Sequence, residues 1–294
     1  MQKRKKREIS DIILDTVIYT IMIALVIVTL YPMWYVVVAS FSNSIDIARD
    51  PGIMLWPKEF VLGAYQMVFE NPLLMGAFKN SLFVLGVSLP INIVMTLLCG
   101  YFMASTGMMW KKPIVLMFMF TMFFNGGLIP NFLNIKDLGL YNSLWALILP
   151  SALSVYNAII CKTAIEGLPA SVIESAYIDG ANDLHIIFKI VMPLIKPTLA
   201  VLTLYYGVGH WNSWFNASVY LKDTELLPIQ NIIRSILLAN DQTLQATGTA
   251  DSFNTYAETI KYAAIVITTV PVLCIYPFLQ KYFTKGVMIG AVKG

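Results

Sequence analysis

Tyr206, His210 and Trp214 recur at intervals of four residues, and Ser88 and Asn92 share that spacing, which puts each set on one face of a helix. Between them they offer a phenol, an imidazole, an indole, a hydroxyl and an amide. Such groups suit hydrogen bonding and ring stacking with a polyhydroxylated solute in a wet cavity, so Ser88, Asn92, Tyr206, His210 and Trp214 are candidates for lining a pathway. Polar packing between apolar helices uses the same residue types and is the simpler reading. His210 could also pass a proton. A single titrating group makes a thin relay, however, and the long apolar runs hold no acid beyond Asp15 at the edge of the first.

A second polar cluster spans Glu174 to Pro193, ESAYIDGANDLHIIFKIVMP, between long apolar runs. Pro169 can open a helix, Ser171 to Asp179 are helix-compatible, and Gly180 is the residue type that ends a helix in a left-handed conformation. Asn182 or Asp183 can then cap a second helix whose apolar stripe is Leu184, Ile187, Phe188 and Val191, with Pro193 as its stop. The segment reads as a helix-turn-helix built to touch another protein. The competing reading is an amphipathic connector.

The elements that must position these groups follow from composition. Of 294 residues, 57% are hydrophobic and 13% charged, against about 25% charged in soluble domains. Six stretches without Asp, Glu, Lys or Arg (16–45, 80–110, 113–135, 138–161, 197–221 and 262–280) are each long enough to cross hydrocarbon as a helix. The expectation is an all-α integral membrane protein. It has a basic amino terminus (1–11), a transmembrane domain (12–284) and a short tail (285–294). The spans fall at about 13–41, 80–104, 113–132, 141–163, 197–217 and 261–282, with a polar loop at 166–195.

With both termini in the cytoplasm, 13 of the 20 Lys and Arg residues lie inside and the outer loops are net negative, which also puts the 166–195 loop inside. The run KRKKR precedes an apolar span without a small-residue cleavage site, so it reads as an orienting signal rather than a nucleic-acid patch or a signal peptide. Trp34, Trp56, Trp110, Trp145, Trp211 and Trp214 fall near span ends and are expected as interfacial anchors. Cys99, Cys161 and Cys274 have no metal-ligand spacing and read as free, buried thiols. Asn125-Gly126-Gly127 with Pro130 can break the third span. No G-x-x-x-x-G-K-[ST] occurs, so the chain carries no phosphate-cradling loop of that kind.

The Glu174 segment resembles the EAA loop of bacterial ABC-importer permeases, the coupling helix that seats in a cleft of the ATP-hydrolysing subunit. Glu174, Ser175, Ala176, Asp179, Gly180, Ala181, Ile190 and Pro193 stand in the motif positions, Ser175 replacing the first Ala. Leu62 and Tyr65 match an L-x-x-Y pattern in the outer loop of sugar-type permeases. KYFTKGVMIGAVKG is similar to the tails of the maltose and oligosaccharide class, so the resemblance covers essentially the whole chain. It implies a type I importer permease of six helices in the bacterial plasma membrane, not itself an enzyme and without a cofactor. ATP and Mg would be bound by two partner ATPase subunits. The other implied partners are a second, homologous permease and an extracytoplasmic sugar-binding protein, with an oligosaccharide as the solute. It further implies that the loop between the last two spans enters the binding protein, with Asp241, Thr247, Gly248 and Asp251 as candidates. An importer for another small solute, and a proton-coupled secondary carrier, are the alternatives.

Overall fold

The computed structural model describes residues 9–49, 52–107, 109–246 and 257–290. Every regular element among them is a helix, as expected of apolar, non-alternating runs that must satisfy their own backbone groups. The chain divides into two compact units, Met1–Glu70 with Ile236–Ile267 and Asn71–Ser235 with Thr268–Gly294.

In the first unit, α1 (Ile9–Ser40) presents an apolar surface that is almost wholly exposed. Thr16, Thr20 and Thr29 do not disturb it, because each hydroxyl donates to the carbonyl four residues back at 2.7–2.8 Å. Two short helices follow, α2 (Ser44–Arg49) and α3 (Gly63–Glu70). Val38, Ala39, Ile47 and Met54 form a small core with Tyr35 and Tyr262. Tyr65 is fixed by a 2.8 Å bond to Ser40 Oγ and by stacking on Phe41, whereas Leu62 is exposed just before α3.

The second unit is built on α4 (Pro72–Ala104), which Asn71 caps through Oδ1 and Pro72 opens at its first turn. Next come α5 (Lys111–Phe123) and α6 (Leu128–Asp137), set at 116° to each other. Gly127, at φ +87°, supplies that bend where Asn125-Gly126-Gly127 interrupts the run. The expected span at 141–163 is not one continuous helix. It is a short α7 (Trp145–Ile148), a break around Pro150, and α8 (Val155–Glu166) capped by Ser154.

A hairpin then joins α9 (Ala170–Ile178) to α10 (Asp183–His185), which runs on through a π-helical stretch (Ile186–Val191) into α11 (Met192–Leu194). Pro193 does not stop this helix. It sits in the first turn after the π stretch, where its missing N–H costs nothing, and the chain turns by 88° at Ile195 into α12 (Lys196–Asn212). After α12 come α13 (Phe215–Tyr220), a 3₁₀ turn (Thr224–Leu226), α14 (Ile229–Ala246) and α15 (Ala257–Gly290), the last two passing from one unit to the other.

Among the described residues α1 and α4 are long and apolar enough to cross a membrane, and counting each bent pair as one span raises the number to four. Ile229–Leu238 and Thr259–Cys274 are shorter apolar helices. Other boundaries also move. The backbone of α15 continues to Gly290, into the expected tail, and that of α14 continues past Asp241 to Ala246. Thr247, Gly248 and Asp251 lie outside the described residues. Trp211 is buried rather than interfacial and donates its indole N–H to the Thr268 carbonyl at 3.1 Å, whereas Trp34, Trp56, Trp110, Trp145 and Trp214 keep exposed rings. Cys99 and Cys161 are buried and Cys274 is exposed.

The main core lies where α4 meets α8 and α12, around Leu97, Tyr101, Cys161, Ile165, Leu199 and Leu202. Gly100 makes that approach possible, since a Cβ there would come within 2.9 Å of Cys161 Cβ and Sγ and 3.2 Å of the Lys162 amide. Gly100→Val should therefore cost about 1–3 kcal/mol through overpacking. The apparent melting midpoint of the detergent-purified protein should fall clearly, and an unchanged midpoint would show that this contact is not tight.

Candidate functional site

The hairpin between α9 and α10 is closed by its own backbone. The Gly180 amide donates to the Tyr177 carbonyl and the Ala181 amide to the Ala176 carbonyl, both at 3.0 Å. With Gly180 at φ +81°, this is a complete Schellman ending, and Ala181 packs against the apolar cluster that contains buried Ala176. Three of the singled-out residues thus have structural reasons for their identity. Ala176 must be small and apolar, Gly180 must lack a side chain, and Ala181 must fit against that cluster. Asn182 restarts the chain by accepting the His185 amide at 2.8 Å.

Six of the eight expected residues, Ser175, Ala176, Asp179, Gly180, Ala181 and Ile190, line one cleft of about 570 Å³. Glu174 is exposed and lines a neighbouring cavity with Glu166 and Tyr177, while Pro193 is exposed and lines neither. The expected apolar stripe is split by the π-helical stretch. Its wider turn sends Ile186, Ile187 and Val191 inward and leaves Leu184 and Phe188 exposed, so Ile186 replaces the other two in the core. Ile178, at the hairpin tip, is 86% exposed. An apolar tip flanked by Glu174 and Asp179 is a surface suited to a protein partner.

A phenol-carboxylate cluster fastens the hairpin to the end of α4. Tyr177 donates to Asp183 Oδ1 at 2.5 Å, and the Tyr101 hydroxyl lies 3.1 Å from the same oxygen and 3.0 Å from that of Tyr177. Nothing in the sequence flags this cluster, because Tyr101 comes from a distant helix. The hydrogen bond to Asp183 holds the Tyr177 pKa above its ordinary 10. The neutral phenol is thus favoured in the fold. That contribution is complete below pH 10 and is lost as pH rises through the higher folded value.

The pathway candidates divide. Ser88 and Asn92 are fully buried on one face of α4, and Tyr206 and His210 face them from α12. Asn92 Nδ2 donates to the carbonyls of Ser151 (2.6 Å) and Ala152 (3.0 Å). Those two bonds set the amide's orientation, so His210 Nε2, 2.9 Å from Asn92 Oδ1, carries a proton and donates. The Tyr206 hydroxyl contacts Thr96 Oγ1 at 2.7 Å and accepts the Ser154 amide at 3.0 Å. Through these bonds Asn92 and Tyr206 hold the break before α8. Ser88 Oγ has no hydrogen-bond partner among the described residues. Trp214 does not join them, because α12 ends at Asn212 and the chain turns at Ser213.

Beside this network lies a cavity of about 360 Å³ whose walls include Ser154, Asn157, Tyr205, His210, Ser213 and Asn216. Of the five pathway candidates, Tyr206 and His210 line it. Asn157, Ser213 and Asn216 do not stand out in the sequence, since each lies at or near a helix end that hydropathy alone does not locate.

A hydrogen bond at a partly exposed site contributes about 1 kcal/mol, or roughly a fivefold change in opening. Tyr177→Phe should accordingly raise amide hydrogen exchange over 176–186 about fivefold and leave 88–100 unchanged. Equal protection of 176–186 in both proteins would remove the fastening role.

Comparison with known proteins gives a consistent picture. The family model described as "Binding-protein-dependent transport system inner membrane component" matches residues 4–289. The polygalacturonan/rhamnogalacturonan transport system permease protein YtcP of Bacillus subtilis (strain 168) is 37% identical over 285 residues, covering 95% of this chain and 98% of that one. Protein LplC of the same organism is 36% identical over 267 residues, covering 91% and 90%. Among solved structures, a chain of a bacterial ABC transporter involved in the import of the acidic polysaccharide alginate superposes with a TM-score of 0.85 at 28% identity. That alignment covers 95% of this chain and 99% of the other.

Proposed function

From the premise that the chain belongs to the family of binding-protein-dependent transport system inner-membrane components, we propose that it is one permease subunit of an ATP-driven oligosaccharide importer. Its relatives are a permease for polygalacturonan or rhamnogalacturonan and a transporter for alginate, which supports a sugar polymer fragment as the solute. The complete assembly pairs it with a second, homologous permease, two ATPase subunits that bind ATP and Mg, and an extracytoplasmic sugar-binding protein. Six spans, cytoplasmic termini and a cytoplasmic 166–195 loop complete the reading. In this topology α5 with α6, the interrupted 141–166 segment, α12 and α15 join α1 and α4 as spans.

The observation that carries the proposal is the hairpin at Gly180. It is a rigid turn with an apolar tip, fastened to α4 through Tyr177 and Asp183. Closure of an ATPase pair around such a tip would move α4 and α12 as bodies, opening the permease outward to take solute from the binding protein. Glu174 and Asp179 would meet the ATPase cleft with their charges. The 240–254 stretch, including Asp241, Thr247, Gly248 and Asp251, would enter the opened binding protein. The proton-coupled alternative loses its candidate relay, since His210 donates to an amide oxygen that cannot take up its proton.

The reconstituted complex should import oligosaccharide only with ATP, and a proton uncoupler should have no effect. Gly180→Val places a branched residue at positive φ and should reduce uptake at least tenfold while the subunits still co-elute. Glu174→Ala should lower uptake and stimulated ATP hydrolysis together. His210→Gln should retain most ATP-driven uptake. Uptake by this chain alone under a pH gradient would establish the carrier instead.

A further inference from the structure

The packing of the second unit does not account for Arg234. It lies on the exposed side of α14, with its guanidinium carbon 3.5 Å from the centroid of the Trp214 ring. As a fastening between α14 and the 213–220 segment this stack is redundant. Asn231, one turn earlier, already makes that junction, with Nδ2 donating to the Trp214 carbonyl at 3.0 Å and to Ser218 Oγ at 2.8 Å.

Stacking on the indole occupies a face of the guanidinium and leaves its N–H edge available, and no carboxylate among the described residues pairs with it. A planar fork held flat on a ring, with free donors, is the arrangement that takes a carboxylate in two parallel hydrogen bonds. Lysine has neither the fork nor the flat face. The place also fits a solute. Trp214 and Arg234 are not in the wall of the polar cavity beside the Asn92–His210 network, but their chain neighbours are: Ser213 and Asn216 on either side of Trp214–Phe215, and Pro228 just before α14. α12, whose 17 residues span roughly 25 Å, separates this point in the chain from the Gly180 hairpin, which lies before its other end.

We propose that Arg234, seated on Trp214, binds a carboxylate of the transported solute, making this subunit selective for oligosaccharides that contain uronic acid residues. The assignment rests on the oligosaccharide-importer reading above. Arg234 is a specificity-determining group, and Trp214 positions it.

The test uses the full complex with its binding protein in proteoliposomes and two probes, tetragalacturonate and its carboxyl-reduced tetramer. Each is supplied at concentrations that saturate the binding protein. Arg234→Gln should cut tetragalacturonate uptake about tenfold, the scale of one lost charge-assisted pair, and leave uptake of the reduced tetramer within about twofold of wild type. Arg234→Lys should restore less than half of the lost uptake, because charge without the fork is not enough. Affinity of the loaded binding protein for the complex should not change in either variant. Equal loss for both probes, weakened docking of the binding protein, or no loss would each overturn the proposal. A wild-type complex that imports neither probe with ATP would instead overturn the importer reading itself, and the wild-type arm shows this before any variant is compared.

Discussion

A peptide group that leaves a helix inside an apolar protein must find a partner, because no water is at hand to replace the lost bond. The second unit breaks its helices repeatedly, and asparagine supplies the partner at one break after another. Asn92 takes the carbonyls of residues 151 and 152, and Asn80 those of 225 and 227. Part-buried Asn231 holds the carbonyl of 214, and the same pairing recurs at exposed breaks, where Asn142 accepts the amides of 222 and 223 and Asn125 that of 127. The carboxamide has the donor and acceptor of a peptide group on a short stem. It can substitute for a missing turn without bringing a charge into the apolar interior.

This explains which parts of the fold could be read from residues alone. The all-helical class and the apolar runs follow from composition, and the α9–α10 hairpin follows from local chemistry, since Gly180, Ala176, Ala181 and Asn182 are all within seven residues. The breaks inside the runs were harder to see. Asn125-Gly126-Gly127 announces its bend because the glycines are in the turn itself. The break before α8 does not, because its support comes from Asn92 and Tyr206, some 50 to 60 residues away. The π-helical turn over 186–191 escaped for a similar reason. A regular period puts Leu184 and Phe188 in the core, and only the packing of Ile186 against α4 and α8 shows that the period has slipped.

The candidate pathway shows the same division. Residue type marks Ser88, Asn92, Tyr206 and His210 as polar groups inside the bundle, but not their partners. Asn92 and Tyr206 support the break before α8, and Tyr206 and His210 also line the cavity, whose other polar walls come largely from helix ends. Trp214 was placed on a helical face that ends two residues before it. Its actual neighbour, Arg234, comes from an amphipathic helix that buries Ile229, Ile232 and Ile233, a pairing across 20 residues that spacing does not reveal.

The hairpin has a further consequence. Its shape is fixed by bonds between its own backbone groups, one glycine and a pair of alanines, so the side chains at its tip are free of any duty to the fold. Ile178, Leu184 and Phe188 can change without altering the turn that presents them. In the importer proposed above, selection on partner choice and selection on folding would therefore act on different residues. A genome holding many such permeases could diversify or share its ATPases by editing a few exposed side chains, leaving the turn itself untouched.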